Sequence, residues 1–316
     1  MGTSQFSEKA DYISRCLELA ILFEVSGYPK PGNIHRTADF SETTFEHFLA
    51  SAVAIAPSFR KAAEQGIKFL KGKIEASELG IGFVIKDAVK RMLSSQNGGN
   101  TLLGAIIILA PIATAAGMTN EKMSLPEVRK NIKLVVESTT PEDAIQTYDA
   151  IALVSPGGLN KSKQLDVNDS TSKKKIVEQQ ITLFDTFKIA SSYDSIAYEW
   201  VNNYPITFDL GYPYFVKELE KKGNLNTATV HSFLKILSEV PDTFISRKVG
   251  QEKAEKISIE AKNVLKQGGL STSNGKQLLL EFDKNLRAPK NDLSPGTTAD
   301  ITEAVLALNN LTGYIP

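Results

Sequence analysis

Several short stretches of this 316-residue chain gather side chains that handle phosphate, ribose or a hard metal ion. In "YPKPGN", residues 28–33, Pro29 and Pro31 hold the backbone extended on either side of Lys30, and Gly32 permits a turn directly after it. Such a loop projects Lys30 and Asn33 stiffly, at low entropic cost. Arg36 and Asp39 follow, and a cation beside a carboxylate suits phosphate oxygens and, through Asp39, a metal. The same pattern also serves as a Pro-stiffened helix connection with a surface lysine. In "GGNTLLG", residues 98–104, Asn100 and Thr101 stand at the head of the most apolar segment of the chain. A buried helix start aims its free N–H groups and positive dipole end at whatever fills the adjoining cleft, although an N-cap alone also accounts for Asn or Thr there.

Two further stretches read both ways. "PDTFISRK" (241–248) carries Arg247 and Lys248, a phosphate clamp or an ordinary exposed pair. "PGTTAD" (295–300) opens the last helix, with Thr297 or Thr298 as cap and Asp300 in the first turn. "TTPEDAIQTYDAI" has Thr140 as cap, Pro141 at the first helical position and Glu142 and Asp143 in turn one, which is helix grammar that needs no function.

Other chemistries are excluded. "GGLSTSNGKQ" is one residue too long for a Walker loop, and Gln277 replaces its Ser/Thr. His35, His47 and His231 are scattered, with no zinc spacing, and no G-x-S-x-G elbow occurs. The single cysteine, Cys16, lies on an apolar helical stripe and reads as a core thiol. Carboxylates, lysines, arginines and asparagines at turns remain, the set used in Mg²⁺-nucleotide chemistry.

The elements that must position these residues are helical. Phe45, Phe48, Leu49, Ala52 and Ala56 follow helical spacing and Pro57 is expected to end that run; Ala10, Ile13, Cys16, Leu17, Ala20 and Phe23 behave alike, with Gly27 as the stop. Further amphipathic segments fall near 58–71, 77–94, 125–138, 141–153, 173–203, 211–222, 226–238, 250–267, 272–287 and 297–312. "IKLVVEST" (132–139) has strand character but no partner. The expected fold is all-α: one domain over 1–316, a large multi-helix bundle around a buried central apolar helix, with a polar linker or lid at 155–175. Leu102–Met118 carries no charge and sits at the lower limit of roughly 17 residues for a membrane span, but Pro111 and the lack of a second such segment favour a buried helix.

Charge is balanced, with 36 basic and 36 acidic side chains, which argues against nucleic acid or an anionic membrane as partner. An anion site must then be local. The first residues lack a signal-peptide apolar region, and one cysteine permits no internal disulfide, so a cytoplasmic location is expected.

"PKPGN" after an amphipathic helix, "GGNT-x-x-G" opening an apolar one, "SPGGL" followed by "DV", "YDSIAYEW", "PDTFISRK" and "PGTTAD" occur in this order along nearly the whole chain. In this the chain resembles the triphosphoribosyl-dephospho-CoA synthase family, in a divergent archaeal-type branch. The resemblance implies an all-helical transferase that joins ATP to 3′-dephospho-CoA, with attack on ribose C1′, departure of adenine and Mg²⁺ as cofactor. It implies Lys30, Arg36 and Arg247 on phosphate oxygens, and Asn33, Asn100 and Thr101 on ribose or phosphate. Asp39, Asp143 and Asp300 become Mg²⁺ ligands, with Asp39 or Asp300 as general base. Departures from the family pattern, Leu102 and Leu103 in place of His-Lys and only Asp39 kept in "TADFSETTFEHF", leave room for another acceptor, such as a precursor of a pterin-type C1 carrier, or for a non-catalytic nucleotide-binding helical protein.

Overall fold

The computed structural model describes residues 3–120, 123–154, 165, 167, 169–287 and 291–316. Among them run fifteen α-helices: α1 Thr3–Ser26, α2 Phe45–Leu70, α3 Ile81–Ser95, α4 Leu103–Gly117, α5 Leu125–Glu137, α6 Pro141–Val154, α7 Ser170–Glu178, α8 Leu183–Ala190, α9 Ser195–Val201, α10 Tyr212–Lys222, α11 Leu225–Glu239, α12 Thr243–Val249, α13 Gln251–Lys266, α14 Ser273–Leu286 and α15 Gly296–Leu311. The described residues form no strand beyond a single bridge between His35 and Ala38, so the all-α expectation holds. The segment "IKLVVEST" lies mostly in α5, where Val128, Ile132, Val135 and Val136 form one buried stripe.

Helix α4 is the centre. All its residues except Gly104 are buried, and α1, α2, α3, α5, α9 and α15 pack around it. No described helix is long and apolar enough to cross a membrane. The approach of α2 to α4 is set by two glycines: a Cβ on Gly66 would stand 2.0 Å from the Thr114 carbonyl oxygen, and one on Gly117 2.2 Å from that of Ala63. A second apolar cluster joins α11, α13 and α14 through Phe233, Leu237, Ile257, Leu279 and Phe282.

Two prolines, Pro57, expected to end its helix, and Pro111, lie inside helices. Pro57 does not end α2, because Pro57 and Val53, whose carbonyl loses its i+4 donor, both face solvent. Pro111 is buried in α4, where the orphaned carbonyl of Ile107 has no water to turn to. The indole N–H of Trp200, from α9, donates to it at 3.2 Å, and the Tyr204 hydroxyl donates to the next carbonyl, Ile108, at 3.0 Å. A mid-helix proline costs about 3 kcal/mol. Here a tertiary hydrogen bond and the burial of the flanking isoleucines, each contributing roughly 1.5–3 kcal/mol, offset it.

The expected helix 173–203 is three helices. Asp169 caps α7, Thr182 caps α8 and Asp194 caps α9, so polar residues read as one helical face are in fact starts. Of the proposed lid at 155–175, residues 155–164, 166 and 168 lie outside the described residues. From residue 170 the segment is already α7. Helix α12 escaped the periodicity reading, being a short helix of 7 residues inside a motif read for its charges.

Candidate functional site

The starts of α4 and α15 open on one cleft of about 1620 Å³, with α9 and α12 along its side. Of the expected residues, Asn33, Asn100, Thr101, Arg247 and Asp300 line it. Asn100 brings the head of α4 to order by accepting the Leu103 N–H at 3.2 Å, while Thr101 shares a 2.7 Å hydrogen bond with the Ser51 hydroxyl on α2. Asn33 reaches across from the first loop, its amide donating to the Pro295 carbonyl at 3.3 Å, and so ties "PKPGN" to "PGTTAD". Arg247 is ion-paired with Asp194, whose other oxygen accepts the Ile196 and Ala197 N–H groups at 2.9 and 3.0 Å. Lys248, beside it on the cavity wall, pairs with Asp292 at 3.3 Å.

Gly104 explains the end of "GGNTLLG". A Cβ there would lie 2.0 Å from Asp300 Oδ2, so only glycine lets the Asp300 carboxylate settle on the first turn of α4, where the Ala105 N–H donates to it. Asp300 is half-buried, lining the cavity. Burial, then the nearby Asp242, Glu24 and Asp194 carboxylates, push its pKa well above the usual carboxylate range, against the Ala105 hydrogen bond.

Four expected residues stand elsewhere. Lys30 is 1% exposed and does not line the cleft; its ammonium is spent on Glu24, at 2.6 Å from the carboxylate and 3.1 Å from the carbonyl. Desolvating a lone ammonium beside a buried carboxylate leaves pairing as the only stable outcome. Arg36 is exposed on another face, bonded to the Ser26 carbonyl and the Asn226 side chain and lying over the Tyr28 ring. Asp39 is not among the lining residues; it accepts the Phe45 N–H at 2.7 Å, at the head of α2. Asp143 lies in a separate groove, with Oδ1 taking the Gly82 N–H at 2.8 Å and Oδ2 the Thr140 N–H and hydroxyl, each at 2.8 Å. The expected Mg²⁺ trio of Asp39, Asp143 and Asp300 is therefore not assembled. No group of three or more described Asp, Glu, His or Cys residues is placed to hold an ion.

Four carboxylates that sequence reasoning passed over surround the cleft. Asp242 is 2% exposed and organises two helix starts at once: Oδ1 accepts from Phe244 and Ile245 N–H of α12, and Oδ2 from the Thr298 N–H and hydroxyl of α15. Asp194 caps α9 and holds Arg247. Glu24 and Glu303 are buried and line the cavity itself. Burial is the first cause raising the pKa of each of Glu24, Asp242 and Glu303. Glu24 had a legible signal, since it continues the buried stripe of Leu17, Ala20 and Ile21. Glu303 had the same one, a charge between Thr302 and Ala304 in a helix buried nearly all round. Asp194 and Asp242 lay inside quoted motifs and are recognisable as caps only once α9 and α12 are seen to be helices.

A wall bearing guanidinium, ammonium, amide and hydroxyl groups opposite carboxyls suits transfer of a phosphorylated group, and the chain is a transferase. A family model, CitG, described as ATP:dephospho-CoA triphosphoribosyl transferase, matches residues 10–315, and the chain belongs to that family. Among its relatives, the assigned 2-(5''-triphosphoribosyl)-3'-dephosphocoenzyme-A synthase of Pseudomonas fluorescens (strain Pf0-1) is 23% identical over 297 residues, covering 92% of this chain and 89% of that protein. The assigned enzyme of Streptococcus mutans serotype c is 23% identical over 311 residues, covering 96% and 97%. The crystal structure of a protein assigned as triphosphoribosyl-dephospho-CoA synthase from Archaeoglobus fulgidus superimposes with a TM-score of 0.63 at 23% identity, over 84% of this chain and all of that one. The structural likeness shows the fold.

Proposed function

We propose that the chain transfers the 5-triphosphoribosyl group of ATP to a hydroxyl of 3′-dephospho-CoA and releases adenine. What carries this reading is the meeting, in one cleft of a chain of this family, of the α4 and α15 starts with Arg247, Lys248 and Asp300. The N–H-rich head of α4, with Asn100 and Thr101, and the two cations of α12 bind ATP phosphates and ribose. Asn33 completes that wall from the first loop. Asp194 holds Arg247 at the cavity wall through one nitrogen, which leaves its Nε without a hydrogen-bond partner among the described residues and suited to a phosphate oxygen.

In the transfer, the acceptor oxygen forms a bond to C1′ as the C1′–N9 bond breaks, and the bonding pair leaves with adenine. Asp300 takes the acceptor's proton; a base with a raised pKa is suited to this near neutral pH. Magnesium is proposed to arrive on the triphosphate, as Mg-ATP, since the described side chains alone build no three-ligand site. Soluble substrates of this kind make the cytoplasm the proposed location.

A second reading keeps the donor and changes the acceptor. It draws on Leu103, an apolar side chain on the cavity wall. Incubating the protein with ATP, Mg²⁺ and dephospho-CoA, or a pterin-type alcohol instead, distinguishes them. Adenine release that depends on dephospho-CoA supports the first reading. Release only with the other acceptor supports the second, and tight ATP binding with no release under any condition defeats both.

A further inference from the structure

Glu303 is a buried carboxylic side chain of the cleft with no evident structural task. It is 2% exposed, lines the cavity, and its Oε2 finds no hydrogen-bond partner among the described residues. It stands three residues, nearly one helical turn, after Asp300, so the two side chains share a face of α15. Their surroundings differ. Burial and neighbouring carboxylates raise the pKa of both, but Asp300 rests on the first turn of a 15-residue helix and accepts the Ala105 N–H, a stabilisation of its anion that Glu303 lacks. Glu303 faces Glu24 from α1 and Asp300 from its own helix; the one nearby cation acting on it, Lys30, is already paired with Glu24 at 2.6 Å. Leaving an unpaired, unsolvated carboxylate there costs several kcal/mol, whereas a neutral acid does not.

We propose that Glu303 is the general acid of the transfer, delivering its proton to the departing adenine, while Asp300 is the base. The inference rests on the ribosyl-transfer reading above. As the C1′–N9 bond breaks, N9 keeps the electron pair and a ring nitrogen of adenine takes the Glu303 proton. The acceptor oxygen bonds to C1′ and gives its own proton to Asp300. Glu303 is then ionised and Asp300 neutral, and passage of one proton between these neighbours restores the starting state. The sum is one proton moved from acceptor to adenine, with no other reagent consumed. Burial and the adjacent carboxylates hold Glu303 protonated well above the usual range, as an acid working near neutral pH needs.

The test uses the full chain with Mg-ATP and dephospho-CoA and reads free adenine. If the wild type releases none with any acceptor, the underlying reading fails before Glu303 is reached. Given wild-type release, Glu303→Gln should lower kcat by about 10²–10⁴-fold with KM for ATP changed less than about threefold, and remove the alkaline limb of the kcat–pH profile. N7-methylated ATP, whose base departs neutral without a proton, should shrink the variant's deficit relative to wild type at least tenfold. A deficit equal on both donors, or an alkaline limb that survives in the variant, overturns the assignment. Glu303→Asp keeps the acid and should keep the limb at reduced rate. Failure of both variants to melt cooperatively would make Glu303 a structural residue, and overturn it too.

Discussion

Asp143 and Asp300 are written alike in the sequence and used differently. Each follows a threonine and a proline near a helix start, but Asp143 lies in the first turn of α6 whereas Asp300, expected in the first turn of α15, is its fifth residue. At Asp143 both oxygens are occupied by three donors from its own helix start and from Gly82 of α3, so the carboxylate is a joint between α6 and α3. At Asp300 one backbone N–H reaches the carboxyl, other carboxylates surround it, and the remaining face opens on the cleft. The difference teaches that an acidic residue near a helix start becomes available for chemistry when the fold leaves its oxygens short of donors. Glu199 lies between the two: fully buried, it accepts the Ile206 and Thr207 N–H groups at 2.7 and 2.9 Å without a paired cation.

The contrast is broken or sharpened by five variants. Asp300→Asn should lower adenine release by about 10²–10⁴-fold while the melting temperature holds or rises, because a repelled buried carboxylate is neutralised; a normal rate would remove Asp300 from the chemistry. Gly104→Ala pushes a methyl group to 2.0 Å from Asp300 Oδ2, and displacing that carboxylate should cost roughly 10²-fold in kcat with little change in ATP affinity. In Glu199 burial raises the pKa from 4.5 to about 7, against the hydrogen bonds from Ile206 and Thr207. The folded value exceeds the unfolded one, so folding retains a proton: that stability is whole below about pH 4.5 and fades as pH rises through 7. Urea unfolding should show a loss across that window that is smaller in Glu199→Gln than in the wild type by on the order of 2–3 kcal/mol.

Asp143→Ala should reverse the pattern of Asp300→Asn. Orphaning the Gly82 and Thr140 donors costs about 2 kcal/mol of stability, seen in the urea midpoint, with kcat within about threefold of wild type. Arg36→Ala should be the mildest, within about 0.5 kcal/mol and without effect on adenine release; a large rise in KM for ATP would return Arg36 to the site.

Most helices were legible because their buried faces repeat every three to four residues over ten or more positions, as in α1, α5 and α15. The misreadings came where tertiary contacts override local grammar. Pro57 does not end α2, because it and Val53 face solvent; Pro111, inside the buried helix expected there, has its orphaned carbonyl taken by Trp200. Within the site, Asn33, Asn100, Thr101, Arg247 and Asp300 could be named from turn chemistry beside apolar helices. Whether a cation is free could not, since Lys30 is consumed by a glutamate six positions earlier. Convergence of α9, α12 and α15 depends on Asp194 and Asp242, whose partners are up to 56 residues away in sequence.

The indole clamp on α4 has a mechanical consequence. Pro111 interrupts the hydrogen-bond ladder of α4 one turn below the cleft, where the rod would otherwise flex, and Trp200 splints that weak point from outside. Trp200 belongs to the same short helix whose first residue follows Asp194, the anchor of Arg247. The anchor of Arg247 and the splint of α4 thus sit on one short helix, which joins the two walls of the cleft.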